Sequence, residues 1–196
     1  MQVEIIDNFL DIQDQLQISN YINNFSYLEN PHSYSFNVNA VTQDVINSNN
    51  LLQINNPQMV KPIFNIEVNT KKATIFDNFL FSKVYLGLNN NNLSNYFIQR
   101  IKINITFPHP KNTIENYGPI HTDDERKESK SIIYYINNSD GDTLFFNNNS
   151  DNPKIIKRIS PKQGRAVVFN SNINHTACCP INAPYRQIIN FVLYKK

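Results

Sequence analysis

The pattern of hydrophobic and polar positions divides the chain near Asn95. Before that point, Val3–Ile6 has the alternation of a short strand. A longer series of apolar residues then recurs at roughly helical spacing, at Ile12, Leu16, Ile18, Ile22 and Phe25. This spacing predicts one amphipathic N-terminal helix. Residues 29–75 are punctuated by Asn and Pro without a sustained period, and Asn89–Asn92 is predicted to be a loop.

From Tyr96 onward, short β-rich runs follow one another. The predicted strands are Phe97–Phe107, Ser131–Asn137, Thr143–Phe146, Ile155–Ile159, Arg165–Phe169 and Arg186–Tyr194. Residues typical of turns separate them, among them Gly118, Gly141 and Gly164. Short strands at this interval predict an antiparallel sandwich or double-sheet jelly roll, with the N-terminal helix packed outside it.

Composition and charge narrow the classes of function. The 18 Lys and Arg residues against 16 Asp and Glu leave a net charge of +2, without the basic run that a nucleic-acid surface normally has. No window approaches the roughly 20 apolar residues of a membrane span, so a soluble, cytoplasmic protein is expected. The two cysteines, Cys178 and Cys179, fit a reducing compartment as small apolar fillers, with a vicinal disulfide as the alternative.

The candidate chemistry is the triplet His121-Thr122-Asp123. On an extended segment, residues i and i+2 project from the same face, so His121 and Asp123 can reach one metal ion while Asp124 points away. His175 follows about fifty residues later, in the predicted loop after Arg165–Phe169. Two histidines and one carboxylate leave open positions on Fe(II), whereas closed structural zinc sites use four protein ligands.

The order of motifs around these residues completes a larger pattern. A Gly118-Pro119 turn precedes His121, and the chain then carries Ser131–Asn137, Gly141–Phe146, Pro161–Phe169, His175 and Tyr185-Arg186. This order resembles the iron(II)/2-oxoglutarate-dependent dioxygenases, specifically the prolyl 4-hydroxylase-like branch. The resemblance extends over about residues 96–194.

The resemblance implies a mainly β fold, a double-stranded β-helix of the jelly-roll type with N-terminal supporting helices. Residues 1–196 would then form a single domain. Residues 1–95 would be its N-terminal support region and residues 96–196 its catalytic jelly-roll core.

The resemblance also implies the roles of five residues. His121, Asp123 and His175 match the iron ligands, and Arg186 matches the residue that binds the far carboxylate of 2-oxoglutarate. Tyr135 matches a tyrosine whose hydroxyl hydrogen-bonds the same carboxylate. Because Tyr134 should face the opposite side of the sheet, only one of the two adjacent tyrosines can do this.

The implied activity converts 2-oxoglutarate and O₂ to succinate and CO₂ and hydroxylates a substrate carbon, with ascorbate dependence implied by the family alone. The expected substrate is a peptidyl or free amino-acid side chain, and the resemblance alone makes proline the first choice. The alternatives are a nucleic-acid or nucleotide oxygenase and a non-enzymatic jelly-roll binding module. A zinc or manganese cupin-like enzyme would leave Arg186 unexplained.

Four further residues carry smaller predictions. Arg165 is expected to form a structural ion pair, and His109 and His32 are expected to lie in loops. Tyr117, just before the metal triplet, is expected to line the mouth of the active site.

Overall fold

The structure is a computed structural model that describes residues 2–29, 35–37, 53–54, 56–66, 75–147 and 152–195. The prediction for His32 lies outside these residues, as does much of the Asn- and Pro-rich region before residue 75.

Ten strands and two helices are found in the described part of the chain. In chain order they are β1 Val3–Ile6, α1 Ile12–Glu29, β2 Ser35–Asn37, β3 Gln58–Asn65, α2 Ile75–Asn90, β4 Tyr96–Thr106, β5 Lys130–Tyr135, β6 Thr143–Phe146, β7 Ile155–Ile159, β8 Ala166–Asn170, β9 His175–Ala177 and β10 Arg186–Lys195.

The strands form two antiparallel sheets. The larger has the order β1-β8-β5-β10-β4-β3-β2, and the smaller has the order β7-β6-β9. Side chains of both sheets meet in one buried cluster, where Tyr135, Val167 and Ile188 of the larger sheet join Phe145 and Ile159 of the smaller. The prediction of a mainly β jelly roll is therefore confirmed, and the two sheets enclose the space in which a site can form.

The helices cover the outer face of the larger sheet. Asp11 caps α1, since its carboxylate accepts a hydrogen bond from the Asp14 backbone N–H at 2.8 Å. The buried helix residues Ile18 and Ile22 join a cluster with strand residues such as Ile103 and Ile189. A helix packed outside the sandwich is as the sequence predicts.

The apolar stripe of α1 is narrower than its spacing suggests. Ile12 and Leu16 are 59% and 45% exposed, whereas Gln15 is buried on the same side as Ile18 and Ile22. The Gln15 amide donates a hydrogen bond to the Leu10 carbonyl at 2.9 Å, which explains how a polar residue occupies this face.

Alternation along β4 and β10 positions the candidate site. Ile101, Ile103 and Ile105 of β4 are fully buried toward the helices. The residues between them, Lys102, Asn104 and Thr106, line a cavity between the sheets. Strand β10 pairs with β4 and contributes Arg186, Ile188 and Asn190 to the same cavity, in register with Thr106, Asn104 and Lys102.

Three parts of the structure differ from the sequence predictions. Strand β3 lies in the region without a readable period. Helix α2 begins where that region ends, was not predicted, and extends to Asn90, into the predicted loop Asn89–Asn92. His175 begins the short strand β9 instead of lying in a loop, because it pairs with Phe145 of β6. Within the described part of the chain, no helix combines the length and apolar character that crossing a membrane requires.

Candidate active site

The candidate site is a cavity of about 280 Å³ between the two sheets. Its polar lining includes His121, Asp123, His175, Lys102 and Arg186. Apolar side chains complete the wall, among them Ile120, Ile133 and Ile188. Of the five residues to which the resemblance assigns a role, all except Tyr135 therefore face one cavity.

Two histidines and an aspartate meet at this cavity. His121 and His175 are held side by side by a pair of backbone hydrogen bonds, each of 3.0 Å. Asp123 is two residues further along, and its Oδ2 lies 3.7 Å from His175 Nε2. One candidate ligand atom from each residue lies within 4.8 Å of the others, a grouping that can hold a metal ion.

The ring orientation of both histidines suits metal binding. His121 Nδ1 lies 3.1 Å from the Pro119 carbonyl oxygen, and His175 Nδ1 lies 2.9 Å from that of Ile173. A carbonyl oxygen only accepts, so each Nδ1 must donate a proton. In a neutral ring, Nε2 then carries the lone pair that a metal ion binds.

The charges of the three side chains also suit a divalent ion. Burial would raise the pKa of Asp123, but His175, Lys102, His121 and Arg100 outweigh that effect and hold it well below its ordinary 3.8. Burial, with a contribution from His121, lowers the pKa of His175 to about 4. One carboxylate and two imidazoles that each bond to a backbone carbonyl through Nδ1 form a donor set that fits Fe(II).

Residues from the larger sheet hold Asp123 in place. Arg100 donates to Asp123 Oδ1 at 3.1 Å, and the Asn190 amide donates to Asp123 Oδ2 at 3.0 Å. Asp123 is only 2% exposed, so these bonds satisfy an otherwise costly buried charge. The carboxylate is therefore oriented before any ion arrives.

Arg186 is a buried cation at another part of the cavity wall. It is the first residue of β10 and only 2% exposed. Its Nη2 donates to Thr143 Oγ1 at 2.8 Å, and its guanidinium lies 5.4 Å from the centre of the Tyr135 ring. Its buried Nε has no hydrogen-bond partner in the described part of the chain. A buried guanidinium with free donors is suited to a carboxylate ligand.

The close approach of Gly141 makes room for Arg186. A Cβ atom at this position would stand 3.1 Å from Arg186 Cδ and 2.7 Å from the Cys178 carbonyl oxygen. The turn before β6 therefore requires glycine for packing reasons.

Tyr135 contacts Arg186 but does not line the cavity. Its side chain is fully buried, and its hydroxyl lies 2.6 Å from Thr143 Oγ1. Thr143 does line the cavity, so it is the hydroxyl nearer to a ligand. Direct contact of Tyr135 with 2-oxoglutarate stays a prediction.

In two pairs of adjacent residues, the two side chains point in different directions, as the sequence predicts. Tyr134 packs in the cluster beneath the helices, whereas Tyr135 packs between the sheets. The Asp124 carboxylate points away from the histidines and accepts hydrogen bonds from Arg126 and from Ser129, the latter at 3.0 Å.

Three of the remaining predictions hold and one is wrong. His109 lies in the loop between β4 and β5. Arg165 forms the expected structural ion pair, with its Nε 2.7 Å from Asp7 Oδ1, and Cys178 and Cys179 are buried thiols without a disulfide. Tyr117 does not line the cavity mouth. It is buried, with its ring centre 5.2 Å from that of Phe146, because its side chain joins a separate apolar cluster.

The sequence of this region matches a known family. Residues 111–194 match the sequence model of the 2OG-Fe(II) oxygenase superfamily. The matched part of the chain is a 2OG-Fe(II) oxygenase domain. The prediction of a 2-oxoglutarate-dependent dioxygenase is thus confirmed, and Fe(II) and 2-oxoglutarate are its cofactors. Ascorbate dependence stays a prediction.

Solved structures of this oxygenase superfamily share the fold. A 2OG-Fe(II) oxygenase from Burkholderia pseudomallei is 11% identical, with a TM-score of 0.66 over 99% of this chain and 85% of that one. A Trichoplax adhaerens prolyl hydroxylase, in complex with a hypoxia inducible factor peptide, is 18% identical, with a TM-score of 0.58 over 98% and 83%.

A more distant likeness involves a small-molecule enzyme. The epimerase SnoN from nogalamycin biosynthesis, in complex with Fe3+, alpha ketoglutarate and nogalamycin RO, is 6% identical, with a TM-score of 0.56 over 98% and 78%. At these identities the likeness is one of fold. The curated proteins contain no match to this chain.

Five residues of the site were not predicted from the sequence: four of them line the cavity, and Arg100 bonds to Asp123. Arg100, Lys102 and Asn104 come from β4, Asn190 comes from β10, and Thr143 comes from β6. The alternation of polar and apolar residues in Arg100–Thr106 was the available signal, since isoleucines at every second position leave the polar residues on one face.

Proposed function

We propose that this oxygenase hydroxylates an amino-acid side chain, free or peptidyl, and that His121, Asp123 and His175 bind its Fe(II). The observation that carries the proposal is the convergence of these three side chains on one cavity wall, with both Nε2 atoms left as acceptors. A binding module would not need three convergent ligands beside a buried arginine.

The metal and its cosubstrate supply the oxidation, while the protein supplies position and environment. Asp123 offers a charged oxygen that Arg100 and Asn190 keep in one orientation. His121 and His175 offer two neutral nitrogens, each fixed by a backbone carbonyl. These three residues would hold the ion at the cavity wall, and a site with three protein ligands would keep positions open for 2-oxoglutarate and O₂.

We assign the distal carboxylate of 2-oxoglutarate to Arg186 and Thr143. The guanidinium has a free Nε and can offer two parallel donors to a carboxylate. Thr143 supports it directly, and Tyr135 supports Thr143 in turn. Tyr135 is thereby a positioning residue in this proposal, and its own contact with the carboxylate is a weaker alternative.

Apolar walls restrict water in the cavity. Ile120, Ile133 and Ile188 line it beside the polar groups, and such walls strengthen electrostatic interactions inside a site. Excluding water suits an oxidation in which the reactive species should react with the substrate and not with the solvent.

The remaining assignments also belong to the proposal. Residues 1–196 act as one domain, since Asn56 and Gln58 from the first half line the same cavity as Arg186. The similarity to a prolyl hydroxylase bound to a peptide favours an amino-acid side chain as substrate. Ascorbate would restore activity lost during turnover.

Succinate production measured with Fe(II), 2-oxoglutarate and O₂ tests this function. The wild-type protein should form succinate only when all three are present, and His121→Ala, Asp123→Ala and His175→Ala should each abolish it. Asp124→Ala is the matched control, because this adjacent carboxylate points away from the site. Full activity in His175→Ala, or a dead Asp124→Ala beside an active Asp123→Ala, would overturn the assignment.

A further inference from the structure

Lys102 is a basic side chain in the cavity whose only part in the site described above is its electrostatic effect on Asp123. It lies on β4 and lines the cavity, between the fully buried Ile101 and Ile103. Among the described residues it has no hydrogen-bond or ion-pair partner. Asp123 attracts Lys102 electrostatically, but that carboxylate bonds to Arg100 and Asn190 instead. A lysine turned inward from a strand without a direct ion pair calls for an explanation from a ligand.

The charges of the cavity leave Lys102 unpaired even with the cofactors bound. Fe(II) and the dianion of 2-oxoglutarate balance each other, and Asp123 is already paired with Arg100. Arg186 binds one carboxylate of that dianion in the proposed function, but the cavity as a whole keeps a surplus of positive charge, and Lys102 is the cation without a direct partner. A second anionic ligand would restore the balance.

Lys102 also stands away from the proposed cosubstrate anchor. Arg186 pairs in register with Thr106, whereas Lys102 pairs with Asn190. The two positions are thus four residues apart along the sheet, which is about 13 Å of strand. An anion at Lys102 therefore has a place separate from the carboxylate at Arg186.

Asn104 adds an unpartnered acceptor next to this cation. It lies two residues from Lys102 on the same face of β4 and lines the same cavity. Its buried Oδ1 has no hydrogen-bond partner in the described part of the chain. The pair thus presents a cationic donor and a neutral acceptor, which match a carboxylate and a neighbouring N–H group.

We propose that the substrate of this oxygenase is a free α-amino acid, whose carboxylate binds Lys102 and whose ammonium group binds Asn104. The proposal rests on the function proposed above and selects the free amino acid over the peptide. The size of the cavity, about 280 Å³, agrees with this, since it lies at the lower limit of small-molecule sites and must also hold 2-oxoglutarate.

Calorimetry tests the proposal on the full chain loaded with Mn(II) and 2-oxoglutarate, in which no turnover occurs. The ligands are the twenty common L-amino acids, each compared with its carboxamide, which keeps the ammonium group and lacks the negative charge. At least one amino acid should bind. Its affinity should exceed that of its carboxamide about tenfold or more, as expected for one charge-assisted hydrogen bond.

The variant Lys102→Met should remove this preference. The affinity for the amino acid should fall about tenfold or more, while the affinity for its carboxamide should hardly change. The two ligands should then bind about equally tightly. Lys102→Arg should retain a preference for the acid. Lys130→Met is the matched control, because that lysine bonds to Asn170 outside the cavity, and it should bind the acid as the wild type does.

Three outcomes would overturn the proposal. Failure of every amino acid to bind a protein that does bind 2-oxoglutarate rejects the free amino acid, and equal weakening of acid and amide in a folded Lys102→Met rejects the carboxylate contact. A loss of 2-oxoglutarate affinity in Lys102→Met moves this lysine to the cosubstrate site. If the wild-type protein binds neither Mn(II) nor 2-oxoglutarate, the proposed function itself fails.

Discussion

The side-chain amide of Asn190 donates a hydrogen bond to Asp123 Oδ2 across 3.0 Å. The last strand thereby fixes a carboxylate that comes from an extended segment between strands β4 and β5. The partner is a neutral amide, so it orients the carboxylate without removing its charge.

Asn190→Leu should therefore weaken metal binding while preserving the fold. Loss of an outer partner of a metal ligand typically lowers metal affinity about 10- to 100-fold. Competition of Mn(II) against a chelator measures the effect. Gln187→Leu is the control, since this residue lies on the opposite face of β10 and bonds to Asn23. Equal affinities in Asn190→Leu and wild type would show that the bond does not position the ligand.

Thr143→Val should lower the affinity for 2-oxoglutarate without changing the affinity for the metal ion. The substitution keeps the shape but removes the hydroxyl that Arg186 and Tyr135 share. A lost hydrogen bond to a charged group amounts to about 1.5–3 kcal/mol, or roughly 10- to 150-fold in affinity. Tyr135→Phe should have the same direction and a smaller effect, because Tyr135 acts through Thr143. A larger effect for Tyr135→Phe than for Thr143→Val would instead favour direct contact of the tyrosine with 2-oxoglutarate.

Arg186→Lys should lower the affinity for 2-oxoglutarate by about one to two kcal/mol, roughly 5- to 30-fold. The charge remains, but the planar fork that can make two parallel hydrogen bonds is lost. Arg186→Ala should lower it further. The Michaelis constant for 2-oxoglutarate in turnover without substrate reports both effects, and an unchanged value in Arg186→Ala would reject this residue as the anchor.

The hydrogen bonds between Asp140 and the backbone before Arg186 should make the free energy of unfolding depend on pH. The Asp140 carboxylate accepts backbone hydrogen bonds from Ile181, Asn182 and Ala183, at 3.1, 2.7 and 3.2 Å. Burial opposes these bonds, but their combined effect lowers the pKa of Asp140 below its ordinary 3.8. Because the folded-state pKa is the lower one, the stabilisation is fully present above the unfolded-state value and is lost as the pH falls through the folded-state pKa.

Asp140→Asn should consequently lower the free energy of unfolding by about 1 kcal/mol at pH 7, a value reduced for solvent exposure. The gap between wild type and variant should close as the pH falls below 3.8. Urea unfolding followed by circular dichroism at several pH values measures it. A gap that stays constant through this range would show that the carboxylate charge is not involved.

Sequence alone predicted the β-rich half because its signals are local. Runs of β-branched and aromatic residues between turn residues mark Thr143–Phe146 and Ile155–Ile159, and the structure has strands with the same bounds. The metal triplet followed from one spacing, since residues i and i+2 share a face. Strand β3 was not predicted because its apolar residues do not alternate and because it contains a proline. It forms a strand by pairing with β4, a contact that its own sequence does not show.

The parts of the site that were missed depend on tertiary contacts. Thr143 gains its role from Arg186, which lies 43 residues away. The position of Lys102 beside Asn190 follows from the register between β4 and β10, which the sequence of a single strand does not reveal. Tyr117 was misplaced for the same reason, because its apolar cluster is formed by residues from β6 and from the segment after β9.

Anaerobic titration of the protein with Fe(II) and 2-oxoglutarate, followed by visible absorption, tests the central assignment most directly. It requires no substrate and reports on the metal ligands and the cosubstrate together. The wild-type protein should develop a weak metal-to-ligand charge-transfer band that saturates at one equivalent of each, and folded His175→Ala should develop none. No band in the wild type, or an undiminished band in His175→Ala, would contradict the assignment of His121, Asp123 and His175 as the iron ligands.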